Sequence, residues 1–223
     1  MNDFSVGLYD HYESIPVSTV YCVGKNYPLH AAEMGGVVPP EPVIFIKPRT
    51  AVISDGGTIR LPNDAGDLHH EVELVAVIGE RMSHVSSAAA VRGIIGYAVG
   101  LDMTLRERQT LAKKKGEPWA IAKGFDTSAP IGPVIPAAEI ADPHALTLRL
   151  SVNGEVRQEG GTGDMIYTIP NVVAFLSSFF TLLPGDLIMT GTPHGVGPVV
   201  DGDRLVASIV EDERATLSVS VAS

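Results

Sequence analysis

Two glutamates and one aspartate are the residues whose types and spacing point most directly to chemistry. Glu71 and Glu73 stand two positions apart at the start of a long apolar run, and Asp102 ends a second apolar segment. Side chains at i and i+2 of a strand share a face, so the two glutamates should lie side by side. Neighbouring buried carboxylates repel and lose hydration, a cost that a divalent cation removes. Oxygen-only ligands favour Mg²⁺, Mn²⁺ or Ca²⁺.

Other interpretations of these acids stay open at this point. A solvated strand face that carries its glutamates outward accounts for the spacing equally well. His69 and His70 add little to a zinc site, because adjacent strand residues face opposite ways. A two-histidine, one-carboxylate Fe(II) oxygenase site is hard to assemble for the same reason. The non-enzymatic alternative is a β-rich Ca²⁺-binding or interaction protein, in which the acids only stabilise the fold.

A histidine and a glutamate on a short helix form a candidate acid–base pair. His30 and Glu33 are at i and i+3 of a helix predicted over residues 29–34, where their side chains can meet. A carboxylate that orients an imidazole makes it a general base able to activate water. Glycine and proline breaks on both sides make the segment a plausible lid, although an ordinary surface pair is the commoner outcome.

Several cationic and polar residues stand where they could join the acids. Lys123 and Lys47 each lie in an apolar stretch, where a lysine either reaches solvent or offsets buried negative charge. Arg106 and Gln109 follow Asp102 at i and i+3 of a predicted helix, from which both could reach the acids. Residues at such positions are more commonly exposed.

A glycine-rich turn over residues 190–197 leaves a predicted strand and contains Thr190, Gly191 and Thr192. Such turns expose backbone N–H groups that can hold a carboxylate or phosphate. The turn lacks the Gly-Lys-Ser/Thr ending of a P-loop and the spacing of a dinucleotide fingerprint. A plain tight turn explains it equally well.

Composition narrows the class of protein. The chain has 223 residues, 45% of them hydrophobic and 19% charged, which is a globular composition. A net charge of −10 argues against nucleic acid as a partner. The single cysteine, Cys22, excludes an internal disulfide and a cysteine-based zinc cluster. With no apolar run of membrane-spanning length and no secretory signal, we expect no membrane partner and a soluble, cytoplasmic protein.

The elements that must position these residues are mostly strands. Short β-branched or alternating runs predict strands, an Asn-Gly turn predicts a hairpin, and Ser or Pro starts predict helices. The predicted strands span residues 17–23, 43–47, 58–61, 70–78, 94–101, 146–152, 155–158, 187–190, 204–210 and 216–221. Residues 120–125 and 130–135 are predicted as extended pieces, and helices are predicted at 29–34, 86–92, 104–115 and 169–180. The pattern predicts a mostly β (α+β) protein, with an N-terminal arm over residues 1–16 and a single domain over 17–223.

These segments together resemble the fumarylacetoacetate hydrolase superfamily, and specifically its small single-domain acylpyruvase, oxaloacetate decarboxylase and tautomerase branch. The motifs that carry the resemblance are GKNYPLHAAE (24–33), EVE (71–73), LDMT (101–104), KGFDT (123–127) and PGDLIMTGTP (184–193). Their order and number make the match specific over roughly residues 17–221. The resemblance implies a layered, mixed β-sheet roll.

The resemblance also implies roles for the candidate residues. It assigns Glu71, Glu73 and Asp102 to Mg²⁺ or Mn²⁺, and His30 with Glu33 to water activation on a lid. Lys123 is implied as catalytic, and the residues implied near the substrate are Arg106, Gln109, Thr190, Gly191 and Thr192. The expected partners are a small 2-oxo or 2,4-diketo acid and a second copy of the chain in a homodimer.

The reaction expected from this resemblance is metal-dependent cleavage of the C3–C4 bond of a 2,4-diketo acid such as fumarylpyruvate, giving pyruvate and a carboxylic acid. Decarboxylation or keto–enol tautomerisation of oxaloacetate is the alternative, because it needs the same metal and the same contacts to the pyruvate end. The His30–Glu33 pair favours hydrolysis without excluding proton transfer at C3.

Overall fold

The computed structural model describes residues 4–8, 14–33, 35, 38–64 and 66–223. Strands dominate this part of the chain. They are β1 Ser5–Gly7, β2 Ser14–Pro16, β3 Val20–Gly24, β4 Val43–Lys47, β5 Val52–Ile53, β6 Thr58–Arg60, β7 Leu68–His70, β8 Val72–Ile78, β9 Ile94–Leu101, β10 Thr104–Leu105, β11 Ala129–Pro130, β12 Ile135–Pro136, β13 Thr147–Val152, β14 Glu155–Gly161, β15 Leu187–Met189, β16 Gly197–Val199, β17 Arg204–Ile209 and β18 Asp212–Ala222. The α-helices are α1 Pro28–Glu33, α2 Ser87–Ala90, α3 Arg106–Lys115, α4 Ala120–Lys123 and α5 Ile169–Phe179.

A six-stranded mixed sheet in the order β12-β9-β8-β15-β3-β4 lies at the centre. Its strand β8 is buried along its whole length, which explains why the sequence there is continuously apolar rather than alternating. Leu74 and Ala76 face one hydrophobic cluster, whereas Val75 and Val77 face another. The sheet is therefore a middle layer that is covered on both faces.

A five-stranded sheet in the order β14-β13-β17-β18-β6 covers one of those faces. Its inward residues Leu148, Leu205 and Leu217 belong to the same cluster as Leu74 of β8. The apolar stripe of α5 also belongs to that cluster. The β13–β14 hairpin turns at Asn153 and Gly154, both at positive φ, as the Asn-Gly pair predicts.

The opposite face packs against the N-terminal segment and β5. Val6, Val52 and Cys22 share its smaller cluster, so Cys22 is a buried apolar residue with a free thiol, as expected. Strands β1 and β2 pair with each other, and Val134 N donates to Gly7 O at 3.0 Å. Residues 1–3 and 9–13 of the predicted arm lie outside the described residues, and the division into an arm and one catalytic domain stays a prediction.

The predicted class, mostly β with short helices in a layered mixed roll, is confirmed. Three local predictions need correction. The strand predicted over 70–78 breaks at Glu71, where the chain leaves β7 in a three-stranded sheet, β10-β7-β16, and enters β8. The helix predicted from residue 104 begins at Arg106, because Thr104 and Leu105 pair with β7.

The segment predicted as extended over residues 120–125 is helical over Ala120–Lys123, so this prediction was wrong. Its first four residues form the single turn α4, in which Lys123 N donates to Trp119 O at 2.9 Å. One turn of an alanine-rich sequence has too few residues for periodicity to separate helix from strand. The helix predicted over 29–34 is observed as α1, with Met34 outside the described residues. Among the described residues, no helix is long and apolar enough to cross a membrane.

Candidate functional site

Strand register brings the three acids together. Strands β8 and β9 are antiparallel, with Val72 opposite Leu101 and Glu73 opposite Gly100. The pairing continues one step beyond the strands, where Asp102 N donates to Glu71 O at 2.8 Å. Glu71 therefore lies across from Asp102, and Glu73 lies two residues along on the same face. One carboxylate oxygen from each residue falls within 4.8 Å of the others.

Two cations on helices outside the sheet contact this acidic cluster. Lys123 Nζ donates to Glu71 Oε2 at 2.8 Å and to Asp102 Oδ2 at 2.6 Å, so it bridges the two strands. Arg106, at the start of α3, donates through Nη2 to the other oxygen of Glu71. Helix α4 thus delivers the lysine that the sequence had placed in an extended segment.

A third cation, Lys47 at the end of β4, also contacts the cluster and is fully buried. Its ammonium is 2.9 Å from Asp102 Oδ1 and donates to Ser128 O at 3.0 Å and Ser128 Oγ at 3.1 Å. It also donates to the backbone carbonyl of Lys123. Lys47 therefore offsets buried negative charge, one of the two outcomes expected for a lysine in an apolar strand.

The two glutamates have different electrostatic environments. Burial by itself would raise the pKa of Glu71, but the adjacent cations of Lys123 and Arg106 outweigh it and hold that pKa below its usual range. Burial, and then the like charges of Asp102 and Glu71, raise the pKa of Glu73 well above its ordinary value. Glu73 is the acid whose negative charge is least compensated by the protein's own cations.

The donor set of the cluster fits a hard divalent cation. All three donors are carboxylate oxygens on buried side chains. Asp102 Oδ1 accepts no directed hydrogen bond from the described residues, although Lys47 is 2.9 Å away. Mg²⁺ and Mn²⁺ prefer such oxygens and keep positions for water or substrate. Glu71, Glu73 and Asp102 would hold the ion, and its charge would relieve the repulsion that acts on Glu73.

The predicted acid–base pair is formed on α1. His30 Nδ1 lies 3.3 Å from Glu33 Oε2, and because a carboxylate only accepts, Nδ1 is the donating nitrogen. This leaves the Nε2 lone pair available, and His30 lines the same pocket as the three acids. Burial lowers the pKa of His30, so the imidazole is neutral near pH 7 and can accept a proton.

The glycine-rich turn contacts the acids through its backbone. Gly191 N donates to Glu73 Oε2 at 2.8 Å, at a φ of 99° where a Cβ would come within 2.7 Å of Asn26. Only glycine fits there. Thr192 lines the pocket, whereas Thr190 directs its hydroxyl to Leu74 O at 2.8 Å. The substrate contacts of these three residues stay predictions.

A buried glutamine, Gln158, ties that turn to the strand break at Glu71. Its Oε1 accepts from Val72 N at 3.0 Å and from His70 Nδ1 at 2.9 Å. Its Nε2 donates to Thr192 Oγ1 at 2.9 Å and to Pro193 O at 3.0 Å. Because Thr192 Oγ1 accepts this bond, its own hydroxyl proton is free to donate into the pocket.

The mouth of the pocket is cationic and carries an indole ring. Arg106 Nη1 donates to Gln109 Oε1 at 2.8 Å, so these two predicted residues act as one unit, and both line the pocket. Lys25, Lys113 and Trp119 line it farther out, with Lys113 Nζ 5.1 Å from the centre of the Trp119 ring.

Most residues of the site were identified from the sequence, but four residues that contribute to it were not. Gln158, Lys25, Lys113 and Trp119 were not identified, and they reach the pocket from β14, the end of β3, α3 and the start of α4. Gln158 had no distinguishing signal, since it is one polar residue in a hairpin strand. Lys25 could have been found, because it follows a buried strand directly and precedes the predicted lid.

Comparison with known families and curated proteins gives consistent results. The family described as "Fumarylacetoacetate (FAA) hydrolase C-terminal" matches residues 19–221. "Oxaloacetate tautomerase FAHD1, mitochondrial" of Arabidopsis thaliana is 51% identical over 190 residues, which cover 85% of this chain and 85% of that protein. "Oxaloacetate tautomerase YcgM" of Escherichia coli (strain K12) is 50% identical over 194 residues, covering 86% of this chain and 89% of the relative.

A solved structure extends the similarity to the whole fold. The crystal structure of fumarylpyruvate hydrolase from Pseudomonas aeruginosa, in complex with Mn²⁺ and pyruvate, superimposes with a TM-score of 0.93 at 42% identity. The superposition covers 98% of this chain and 95% of that one. The names of these relatives thus include both a tautomerase and a hydrolase.

Proposed function

The chain belongs to the fumarylacetoacetate hydrolase family, and from that membership we propose that it interconverts the keto and enol forms of oxaloacetate. The chain is thus a metal-dependent enzyme, which sets aside the Ca²⁺-binding and interaction-protein alternative. The observation that carries the proposal is one pocket lined by the three-carboxylate cluster, Lys123 and a neutral His30. The tautomerase names of the curated relatives favour this reaction over C–C hydrolysis, the reaction expected first from the sequence.

The residues of the pocket have complementary parts in such a proton transfer. Bound Mg²⁺ or Mn²⁺ would supply a Lewis acid that stabilises negative charge developing on the 2-oxo oxygen. His30 Nε2 takes the proton from C3, while Glu33 keeps Nδ1 protonated and the ring in place. The proton is then returned to the oxygen, which gives the enol. Arg106 and the Thr192 hydroxyl hold the carboxylate next to the 2-oxo group.

The test follows the keto–enol interconversion of oxaloacetate by the absorbance of the enol. We expect Mg²⁺ or Mn²⁺ to be required, chelator to remove the activity, and His30→Ala to slow it by about 10²–10⁴-fold. Lys115→Gln, at an exposed lysine outside the pocket, is the control and should keep the wild-type rate. A rate that chelator and His30→Ala both leave unchanged would overturn the proposal.

Hydrolysis of acylpyruvates is the second candidate, favoured by the His30–Glu33 contact. The same imidazole can deprotonate a water that attacks the C4 carbonyl, and the structural relative is named a fumarylpyruvate hydrolase. Fumarylpyruvate and acetylpyruvate, assayed for loss of diketo-enol absorbance and release of pyruvate, test it. CO₂ release from oxaloacetate is followed in parallel to detect decarboxylation. A hydrolysis rate above the tautomerisation rate would make hydrolysis the main function.

We also propose a homodimer. Strand β4 is the last strand of the six-stranded sheet, and its Ile46 is 43% exposed. Ile46 and Phe180 line one apolar cavity, next to the exposed Phe179. An edge strand beside exposed apolar side chains is the kind of surface that a second copy covers. Light scattering should give twice the monomer mass for the wild type and the monomer mass for Ile46→Lys.

A cytoplasmic location of the protein stays a prediction.

A further inference from the structure

Two lysines at the mouth of the pocket differ from its other cations in their acidic neighbours. Lys47, Lys123 and Arg106 each contact Asp102 or Glu71. Within the described ranges, no carboxylate lies within 4.0 Å of the Lys25 or Lys113 ammonium, although both line the same pocket.

The pocket therefore carries more positive than negative charges, although it contains three acids. The three carboxylates are equalled in number by three cations, which contact two of them, Asp102 and Glu71. Lys25 and Lys113 add two further positive charges at the mouth. The protein as a whole carries a net charge of −10, so this excess is local. A bound divalent ion would increase it. Such a pocket attracts and retains a substrate with more than one negative charge.

The backbone and the indole ring hold the two lysines at this place. Lys25 directly follows β3 and has a φ of 59°, a left-handed conformation that is unusual for a residue with a side chain. A Cβ on the preceding Gly24 would lie 3.7 Å from the Trp119 ring, so the end of β3 is close to the indole. Lys113 approaches the same ring from α3.

The titration of Lys113 agrees with this geometry. Burial, and then the like charges of Arg106, Lys25 and Lys123, lower the pKa of Lys113 to about 8. Glu71 is too weakly coupled to reverse that effect. An anion bound between the lysines would favour the charged form of Lys113.

We propose that Lys113 and Lys25 bind the second carboxylate of a dicarboxylic 2-oxo acid and so select dianionic over monoanionic substrates. This inference rests on the proposed function, because it assumes that the 2-oxo acid end lies deeper, at the acids and Arg106. A C4 carboxylate extends from that end toward the mouth, where the two ammonium groups and the Trp119 edge meet it. Lys113 and Lys25 are specificity-determining residues in this assignment.

The fluorescence of Trp119 allows ligand binding to be measured by a signal that does not depend on turnover. It is the single tryptophan of the chain and lines the mouth, so its fluorescence should report ligands there. The Mg²⁺-loaded protein is titrated with oxaloacetate, with its C4 methyl ester and with pyruvate. The ester keeps the carbon skeleton of oxaloacetate but has no second charge, and pyruvate lacks the C4 group.

The variants are Lys113→Gln and Lys25→Asn, since asparagine tolerates the left-handed backbone at that position. We expect each to weaken oxaloacetate binding by about tenfold and to change ester and pyruvate binding by less than about twofold. Lys114→Gln is the matched control, because this neighbour on α3 is exposed and lies outside the pocket. Isothermal calorimetry of the same ligands checks the fluorescence result.

Two results would overturn the inference. One is an equal loss of affinity for all three ligands in Lys113→Gln, and the other is an equal effect of Lys114→Gln and Lys113→Gln. Tautomerisation of oxaloacetate by the wild type is measured separately. Turnover without a preference for the dianion contradicts only the inference, whereas the preference without turnover contradicts only the proposed function.

Discussion

The floor and the rim of the pocket differ in the burial of their residues and in the contacts that these residues make. The floor consists of the buried residues Glu71, Glu73, Asp102, Lys47 and Lys123. The two lysines contact Glu71 and Asp102 at 2.6–2.9 Å, and Glu73 accepts from Gly191 N at 2.8 Å. The rim consists of His30, Lys25, Lys113 and Trp119, which lie on or next to helices and strand ends, with Glu33 in contact with His30. The comparison indicates that floor residues couple stability to metal binding, whereas rim residues affect rate and specificity at little cost in stability.

The largest effect should come from the floor. Lys47→Met removes a buried ammonium and leaves Asp102 without one of its cations, so we expect a loss of about 3–5 kcal/mol in the free energy of unfolding. Chemical denaturation measures it. Lys115→Met is the control, because that exposed lysine lies 4.0 Å from Glu117 and should change stability by less than about 0.5 kcal/mol. Equal effects of the two substitutions would remove the distinction between floor and surface.

Glu73→Gln should separate metal binding from folding within the floor. Burial and its two acidic neighbours raise the pKa of Glu73, so its neutral isostere relieves repulsion and should leave the metal-free protein at least as stable. Mn²⁺ affinity, measured by calorimetry, should fall by at least about 100-fold, and the rise in Tm on adding Mn²⁺ should disappear. A metal-free variant less stable than the wild type would show that Glu73 stabilises the fold by itself.

Gln158→Glu tests the connection between floor and rim. The substituted carboxylate cannot donate to Thr192 Oγ1 or to Pro193 O, so the Thr192 hydroxyl turns away from the pocket to donate to it. We expect KM to rise about tenfold with a smaller change in kcat. Gln158→Met removes both contacts without reversing the bond to Thr192, and should raise KM less. The opposite order would mean that Gln158 acts only through packing.

The smallest effect should come from the pH dependence of the rim. Burial lowers the pKa of His30 below the ordinary value of about 6.5, and the neutral ring is the base. The rate should therefore be constant above about pH 6.5 and fall only at lower pH, through the folded-state pKa. The unfolded chain binds a proton more readily than folded His30 does, so stability also falls as the pH drops below about 6.5. An acidic limb of the rate centred above 6.5, or one that persists in His30→Ala, would contradict this assignment.

Local geometry made much of the site predictable. The i and i+2 spacing of Glu71 and Glu73, the i and i+3 spacing of His30 and Glu33, and the Asn153-Gly154 turn all depend on residues that are close in sequence. Covalent geometry sets the direction of such side chains within a strand, helix or turn. These features are observed where they were predicted, apart from the strand break at Glu71.

The prediction failed where a single turn had to be assigned or where distant segments meet. The four residues of α4 are too few for a period, yet this helix determines how Lys123 reaches the acids. Gln158 lies 86 residues from Val72 and 34 from Thr192, and no local pattern relates them. Their meeting depends on the packing of the five-stranded sheet against the six-stranded one.

The sequence by itself determined the chemical types available: three carboxylates, an imidazole with its own carboxylate, and two lysines in apolar stretches. It also determined which side chains share a face within one element. Only the tertiary structure decided that Asp102 lies opposite Glu71, because strand register depends on contacts between segments about thirty residues apart. The same packing buried Lys47 and left Lys25 and Lys113 without acidic partners among the described residues. Burial sets the energy of each charge, so the electrostatics of the site followed from the fold.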